Sequence, residues 1–356
     1  MKSSRRRWVW LGVTALVLGL IIYNLSRSQE WRQFSGQRFW SLLVHARPGF
    51  LLAALGATIS SYLLRAYRWQ WFLEPIKKAS LWVLFKGQIL GFSSIYLVGR
   101  PGEFVRPAYI ARKEGVSITA MVAVWLLERV YDTVMLVLLF AAALYLSPLD
   151  PVAGKAGTIL VHLHQAGLVM FVVTALIVFA LVFFRVRAEW ATAWTVARFS
   201  FLSEKGRHQL DHFLNSFADG LKVIQNWKDL LASIVSTIVL WGVNISVFWL
   251  GFQSLGGELS RMTWLGAAMT MFFAVLGLVV QFPGIGGGYQ VGTILALTSL
   301  FNIGVEAATG AAILTWIMIS VPCLLLGVVL LIQEGLTFRK LEAIAEEERA
   351  AVSQEL

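Results

Sequence analysis

The sequence predicts an all-α, polytopic helical membrane protein with about six full spans and two broken re-entrant helical hairpins. Three observations carry this. The 356 residues are 58% hydrophobic and only 14% charged, against roughly 45–50% apolar and about 25% charged in soluble domains, and mean hydropathy is +0.70. Six runs are long and apolar enough to cross a bilayer: 8–25, 49–72, 117–146, 166–184, 229–252 and 307–332. Two further apolar stretches, 81–98 and 263–301, are each interrupted by a Gly/Pro motif. This composition excludes a cytosolic globular enzyme, a disordered regulator and a secreted disulfide scaffold. The single cysteine, Cys323, allows neither a disulfide framework nor a cysteine metal cluster.

The run 8–25 exceeds the apolar core of a signal peptide, and no small-x-small cleavage site lies between Ile21 and Ser28. It reads as an uncleaved anchor behind the basic flank Arg5-Arg6-Arg7. Residues 26–48 set Trp31, Phe34, Phe39 and Trp40 among arginines, the pattern of a helix lying in the membrane interface. The span 49–72 ends in Leu64-Arg65-Ala66-Tyr67-Arg68-Trp69. Arg65 and Arg68 fit two roles equally well: facing an inner-leaflet site, or acting as interfacial anchors.

The first broken segment, about 81–113, runs apolar to Gly99-Arg100-Pro101-Gly102, with Glu103, Arg106 and Pro107 following. Basic flanks at 77–78 and 112–113 both belong on the cytoplasmic side, so the segment dips in and returns. Freed backbone groups at such a break are tolerated only inside protein or against a watery cavity. Glu103 and Arg106 are spaced for an i, i+3 pair. Arg100 and Arg106 are candidates to bind phosphate, since a guanidinium matches phosphate bidentately and a helix restarting after the break adds N–H donors.

The run 117–146 carries Glu128, Arg129 and Asp132. Each costs about 2.5–3.5 kcal/mol near a helix centre on the insertion scale. Glu128 and Asp132 share a face, and Arg129 reaches Asp132. Either the triad is an ion pair that locks helices, or the acids orient Arg129 toward a polar cavity. Residues 185–228 form a cytoplasmic linker with seven aromatics spaced through charges.

The second broken segment, 263–301, enters from the opposite face. Its break is Gln281-Phe282-Pro283-Gly284-Ile285-Gly286-Gly287-Gly288. Gln281 and Gln290 are its candidate polar site. Two Gly/Pro-interrupted hairpins of opposite sidedness are a transporter-like arrangement with a midplane site; close helix packing is the other use of such glycines. Residues 1–332 therefore form one transmembrane domain, and 333–356 a charged cytoplasmic tail.

Charge placement sets the orientation. With the N-terminus in the cytoplasm, 22 of the 30 Lys and Arg fall inside and six outside, as the positive-inside rule requires. Both termini then face the cytoplasm, and the net charge of +10 reflects topology, so nucleic acid is not an expected partner. No G-x-x-x-x-G-K-[ST] or G-x-S-x-G occurs. His208 and His212 lack a zincin glutamate, and His162 and His164 are a weak metal signal. No cofactor, no metal and no enzymatic activity is expected.

The motifs Gly99-Arg100-Pro101-Gly102-Glu103-x-x-Arg106-Pro107, Glu128-Arg129-x-x-Asp132 and Phe282-Pro283-Gly284-Ile285-Gly286-Gly287, with the Leu64–Trp69 run, resemble the flippase-like membrane region of the lysylphosphatidylglycerol synthetase/flippase family over about residues 8–332. The resemblance implies an integral protein of a prokaryotic inner membrane that handles lipids, with the hairpins lining a headgroup cavity. The 356 residues hold no aminoacyl-transferase domain, so lysine transfer is not expected. Gln290 stands near a place where the family often carries Glu, which weakens proton coupling there.

The reading is a translocator of an anionic lipid or lipid-linked headgroup between leaflets. Arg100, Arg106 and Arg129 bind phosphate, Glu103, Glu128 and Asp132 hold the arginines, and Pro101, Gly102, Pro283, Gly284, Gly286 and Gly287 break the helices. Expected partners are membrane lipids, an anionic phospholipid or a polyprenyl-phosphate-linked lipid, with a second copy or an envelope enzyme as the protein partner. The alternative is a non-transporting scaffold or regulatory subunit of an envelope lipid enzyme. A lipid-modifying enzyme needs a nucleophile or metal set that the sequence does not supply.

Overall fold

The computed structural model describes residues 34–74, 76–146, 155–187, 227–278, 281–282 and 286–335, with scattered residues between 190 and 211. The expected span 8–25, most of the linker 185–228, with His208 and His212, and the tail beyond 335 lie outside the described residues, as do the side chains of His162 and His164.

The chain is helical, as its composition predicts. Helix α1 (Gly36–Val44) starts behind Ser35, whose hydroxyl accepts from Arg38 N at 3.4 Å. It buries no residue and leaves Trp40 exposed, which suits an interfacial helix. Helix α2 (Pro48–Leu73) opens on a proline, where no N–H is needed. Helix α3 (Leu81–Val98), a 3-10 turn (Arg100–Phe104) and helix α4 (Val105–Glu114) form the first hairpin. Then come α5 (Ile118–Leu146), α6 (Lys155–Val186) and α7 (Trp227–Leu255). A short 3-10 turn (Gly257–Arg261) leads to the second hairpin: α8 (Trp264–Gly277), an antiparallel pair of two-residue strands, β1 (Gln281–Phe282) and β2 (Gly286–Gly287), and α9 (Gly288–Phe301). Helix α10 (Val305–Gln333) closes the order.

Four described stretches are long and apolar enough to span: Pro48–Leu73, Ala120–Leu146, Leu231–Leu255 and Val305–Gln333. The 29 residues of α10 reach about 43 Å at 1.5 Å per residue. By the same rise α8 and α9 reach about 21 Å each and α4 about 15 Å, short of the ~30 Å hydrocarbon core. The hairpin limbs therefore cannot all cross, and their ends meet. Ser80 N, just before α3, donates to Glu114 Oε1 at the end of α4 at 3.0 Å. At the base of the second hairpin, the Phe301 ring lies 3.3 Å from where a Cβ on Gly266 would stand.

Helix α10 shows that the two hairpins enter from opposite ends. Glu334, just past its C-terminus, accepts from Lys86 of α3 at 2.8 Å and pairs with Lys113 of α4 at 2.7 Å. At its other end Gly304 N donates to Glu258 Oε2 at 2.9 Å, in the turn that precedes the second hairpin. The opposed placement expected from sequence is thus present.

Close packing is present too. A Cβ on Gly91 would stand 2.6 Å from Arg106 Cβ, and one on Gly102 would stand 2.4 Å from the Ser94 carbonyl carbon. In the second hairpin a Cβ on Gly277 would meet Gly288 O at 1.9 Å, and one on Gly292 would meet Phe273 O at 2.2 Å. The helices touch backbone to backbone, as small residues allow. Each hairpin is bedded in its own apolar core: Trp69, Phe72, Leu84, Ile110 and Met121 around the first, and Phe140, Phe248, Phe252, Met269 and Phe272 around the second.

Candidate functional site

The charged residues of α2, α4 and α5 converge. Asp132 lies fourteen residues from either end of α5, about 21 Å from each. Glu128, one turn earlier on the same face, is fully buried, and Asp132 is 9% exposed. An isolated carboxylate at such a place is strongly disfavoured, and four arginines answer the two. Arg68 of α2, fully buried, forks between them: Nη2 donates to Glu128 Oε1 at 2.7 Å and Nη1 to Asp132 Oδ1 at 2.8 Å. Arg106 of α4 donates through Nη2 to Glu128 Oε2 at 2.5 Å and through Nη1 to Gln88 Oε1 of α3 at 2.7 Å. Its guanidinium carbon lies 4.5 Å from the Trp69 ring centroid, a cation–π contact. Trp241 Nε1 of α7 donates to Asp132 Oδ1 at 3.2 Å, and Thr237 accepts from Arg68.

The other two arginines are held more loosely. Arg129 Nη2 is 3.4 Å from Glu128 Oε2 and 3.5 Å from Asp132 Oδ2, with 41% of its side chain exposed. Arg65 Nη1 is 3.8 Å from an oxygen of each carboxylate, at 14% exposure. Its guanidinium lies over Phe92. Three buried N–H donors, Arg68 Nε, Gln88 Nε2 and Arg129 Nε, have no hydrogen-bond partner among the described residues. Orphaned donors of this kind cost about 1–3 kcal/mol each, which an incoming anionic oxygen would offset. Among the described residues four guanidinium charges face Glu128 and Asp132, and the carboxylate of Glu103 acts on Arg129 from the neighbouring turn, which leaves an excess of one positive charge.

Of the sequence candidates, Arg106, Arg129, Glu128 and Asp132 come together. Arg106 does not pair with Glu103, as the spacing suggested. Its guanidinium goes to Gln88 and Glu128, because the close approach at Gly91 turns that face of α4 toward α3 and α5. Glu103 is half-buried in the turn. The side chains of Arg100, Pro101, Gln281 and Phe282 lie outside the described residues, as do Pro283 and Gly284 altogether. Gly286 and Gly287 form β2 against β1. Gly287 has φ 96°, a left-handed conformation that suits glycine. Gln290 Oε1 accepts from Gly287 N at 2.7 Å, so it caps the restart of α9. Among the described residues no group of three His, Cys, Asp or Glu could hold a metal.

Gln88, Thr237 and Trp241 were not singled out from sequence. Gln88 had a signal: with Lys86 it is a polar residue inside an apolar run. Arg65 and Arg68, open between two roles, belong to the cluster.

A family model of the lysylphosphatidylglycerol synthase TM region matches residues 8–327. The chain belongs to this family. No curated protein gives a match. Members of the lysylphosphatidylglycerol synthase TM-region family are integral membrane proteins of lipid metabolism or transport, and the spanning helices agree: this is a multi-pass membrane protein. Of the motif residues, Arg106 of the first hairpin, Glu128, Arg129 and Asp132 of α5, and Arg65 and Arg68 of α2 build the cluster, and Gly102 of the first break packs against Ser94.

Proposed function

We propose that the chain translocates an anionic lipid or lipid-linked headgroup between the leaflets of a prokaryotic cytoplasmic membrane, without catalysing a reaction on it. The observation that carries this is the cluster of four guanidiniums at mid-helix depth, which outnumber the carboxylates around them. The Nη groups of Arg68 and Arg106 are engaged by Glu128, Asp132 and Gln88, and these two arginines build the site. Arg129 and Arg65 are left to meet a phosphate, with unsatisfied N–H donors beside them. This moves the phosphate-binding role from Arg106 toward Arg129 and Arg65. A phosphate here neutralises charge that would otherwise be costly at this depth. The Glu334 end is cytoplasmic in this reading, because Lys77, Lys78, Lys86, Arg112 and Lys113 gather there.

The test is leaflet exchange of fluorescent phospholipids in proteoliposomes. Wild type exchanges anionic lipid above empty vesicles. Arg129→Ala loses about tenfold or more, the worth of one charged hydrogen bond, and retains its thermal unfolding midpoint. Exchange unaffected by loss of both Arg129 and Arg65 overturns the reading. The buried Arg68–Glu128–Arg106 core favours one second reading, a non-transporting scaffold in which the network only locks helices. That reading predicts no exchange and a co-purifying envelope enzyme.

A further inference from the structure

The two apolar cores divide α10 at Pro322. Before it, Ala308, Ala311 and Leu314 belong to the core around the second hairpin. After it, Cys323, Leu330 and Leu331 belong to the core around the first. The polar contacts divide at the same place. Thr315 Oγ1 accepts from the Tyr289 hydroxyl of α9 at 3.0 Å. Beyond Pro322, the Cys323 thiol donates to Ile89 O of α3 at 3.6 Å, and a Cβ on Gly327 would stand 2.3 Å from Ser93 Oγ. Each half of the helix is thus fastened to its own hairpin. Pro322 has no N–H for Met318 O, and its ring crowds that carbonyl, so α10 bends most easily here. Tyr62 of α2 props this turn by donating to Ile319 O at 2.8 Å.

Two other helices cross from one core to the other. On α5, Met121, Val124 and Leu127 lie in the first core, and Phe140, Ala143 and Leu144 in the second. Between them stand the cluster residues and Thr133, whose hydroxyl donates to Arg129 O at 2.7 Å. On α2, Leu51 packs on the second core and Tyr62 lies in the first. Between or beside them, Thr58, Ser60 and Ser61 donate to carbonyls one turn back, at 2.8–3.0 Å. Hydroxyls bonded in this way loosen and bend helices. All three crossing helices therefore carry a bending device at the same level.

We propose that the molecule is hinged along this division: the two hairpin bodies rock about Pro322, and the Tyr62 hydroxyl on Ile319 O is the latch that holds them. The cluster lies in the hinge layer, so rocking changes access to Arg65 and Arg129. Arg65 is one turn from Tyr62 on α2, and Phe92 packs on both, its ring centroid 5.2 Å from the Arg65 guanidinium and 5.9 Å from the Tyr62 ring. A rearrangement at Arg65 reaches the latch through Phe92. The hinge stands on packing alone, and its use in moving a headgroup rests on the reading of the cluster given above.

The test uses the full chain in vesicles of phosphatidylcholine and phosphatidylglycerol. Nitroxide labels are placed at Leu81→Cys of α3 and Leu295→Cys of α9, both exposed, while Cys323 is fully buried and escapes labelling. Pulsed electron resonance reads the distance between the hairpins. Two populations of distance are expected with the native Pro322 and Tyr62. Pro322→Ala, which restores the missing N–H, collapses them to one. Tyr62→Phe, which loses only the hydroxyl, raises the minor population severalfold. Tyr289→Phe, which loses a hydroxyl bond inside one body, leaves the populations alone. A single distance that neither Pro322→Ala nor Tyr62→Phe alters overturns the hinge, as do two populations that survive Pro322→Ala. Populations unmoved by Tyr62→Phe, or moved as much by Tyr289→Phe, overturn the latch. Lipid exchange separates the two readings. Pro322→Ala slows it severalfold. If that variant is locked yet exchanges lipid at the wild-type rate, the hinge has no part in transport and the headgroup reading stands. If the distances respond while wild type exchanges nothing, the hinge stands and the headgroup reading falls.

Discussion

In the first hairpin, Gly91 and Gly102 bring α4 against α3, and Arg106 leaves that contact for Glu128 of α5. In the second, Gly277 and Gly292 bring α8 and α9 together, and Gln290 beside the break turns back to cap Gly287 N. The construction is the same and the chemistry is opposite. One hairpin delivers a cation to a buried network, and the other satisfies its own backbone with an uncharged amide. A broken hairpin is therefore a backbone device that the sequence can load with charge or leave neutral. The difference gives the first hairpin the part of bracing the charged network of α2 and α5, and the second a neutral, mechanical part.

The largest effect tests the loaded half. Glu128→Ala removes the carboxylate on which Arg68 and Arg106 both rest and leaves two buried guanidiniums short of a partner. Breaking one buried pair costs about 3–5 kcal/mol, so a large drop of the unfolding midpoint in detergent is expected. A drop no greater than that of Gln290→Ala would mean that the network does not hold the first hairpin. Arg129→Ala, by contrast, removes a partly exposed arginine at 3.4–3.5 Å from its acids and should change the midpoint little.

The next effect tests the shared construction. Gly102→Ala and Gly277→Ala each place a methyl against backbone, at 2.4 Å and 1.9 Å. Overpacking of this kind costs about 1–3 kcal/mol. Similar losses of midpoint are expected in both hairpins. A silent Gly277→Ala beside a damaging Gly102→Ala would break the parallel and leave the second hairpin free to rearrange.

Much of this was legible in the sequence. The helical class followed from composition, and the opposed hairpins from the two Gly/Pro breaks and the basic flanks around them. Glu128 and Asp132 stood out because charge in an apolar run is costly. What the sequence could not give was pairing across helices. The i, i+3 rule offered Glu103 to Arg106, but a residue at a tight helix contact is aimed by its neighbour's backbone, and Gly91 aims Arg106 elsewhere. Arg68 read as well for an interfacial anchor, since its two acids are sixty and sixty-four residues away in sequence. Gln290 suggested a site, and local cap geometry used it instead.

A smaller effect sharpens the neutral half. Gln290→Ala removes a cap whose loss typically costs about 1 kcal/mol. It should lower the midpoint slightly and leave the Arg129 dependence of lipid exchange intact, since Gln290 carries no charge to the cluster. Exchange that fails in Gln290→Ala while the midpoint holds would place chemistry in the second hairpin and undo the contrast.

The smallest effect lies where the first hairpin is tied to α10. Glu334, outside the span, is held down to about 2, first by its hydrogen bond to Lys113, then by that to Lys86, with Tyr109 adding a third. A carboxyl depressed on folding adds stability that is present above its unfolded value, about 4.3, and is lost as pH falls through 2. The tie therefore holds through mild acid, and between pH 7 and pH 5 the midpoint should not change on its account. Glu334→Gln removes both ion pairs at every pH. Pairs at the protein surface are worth about 0.2–1 kcal/mol each, so the shift is small. Its sign is still informative, because hydrogen exchange should quicken at the α4 end of the first hairpin and nowhere in the second. Quickening in both hairpins would mean that α10 couples them, and that the neutral hairpin moves when the charged one is released.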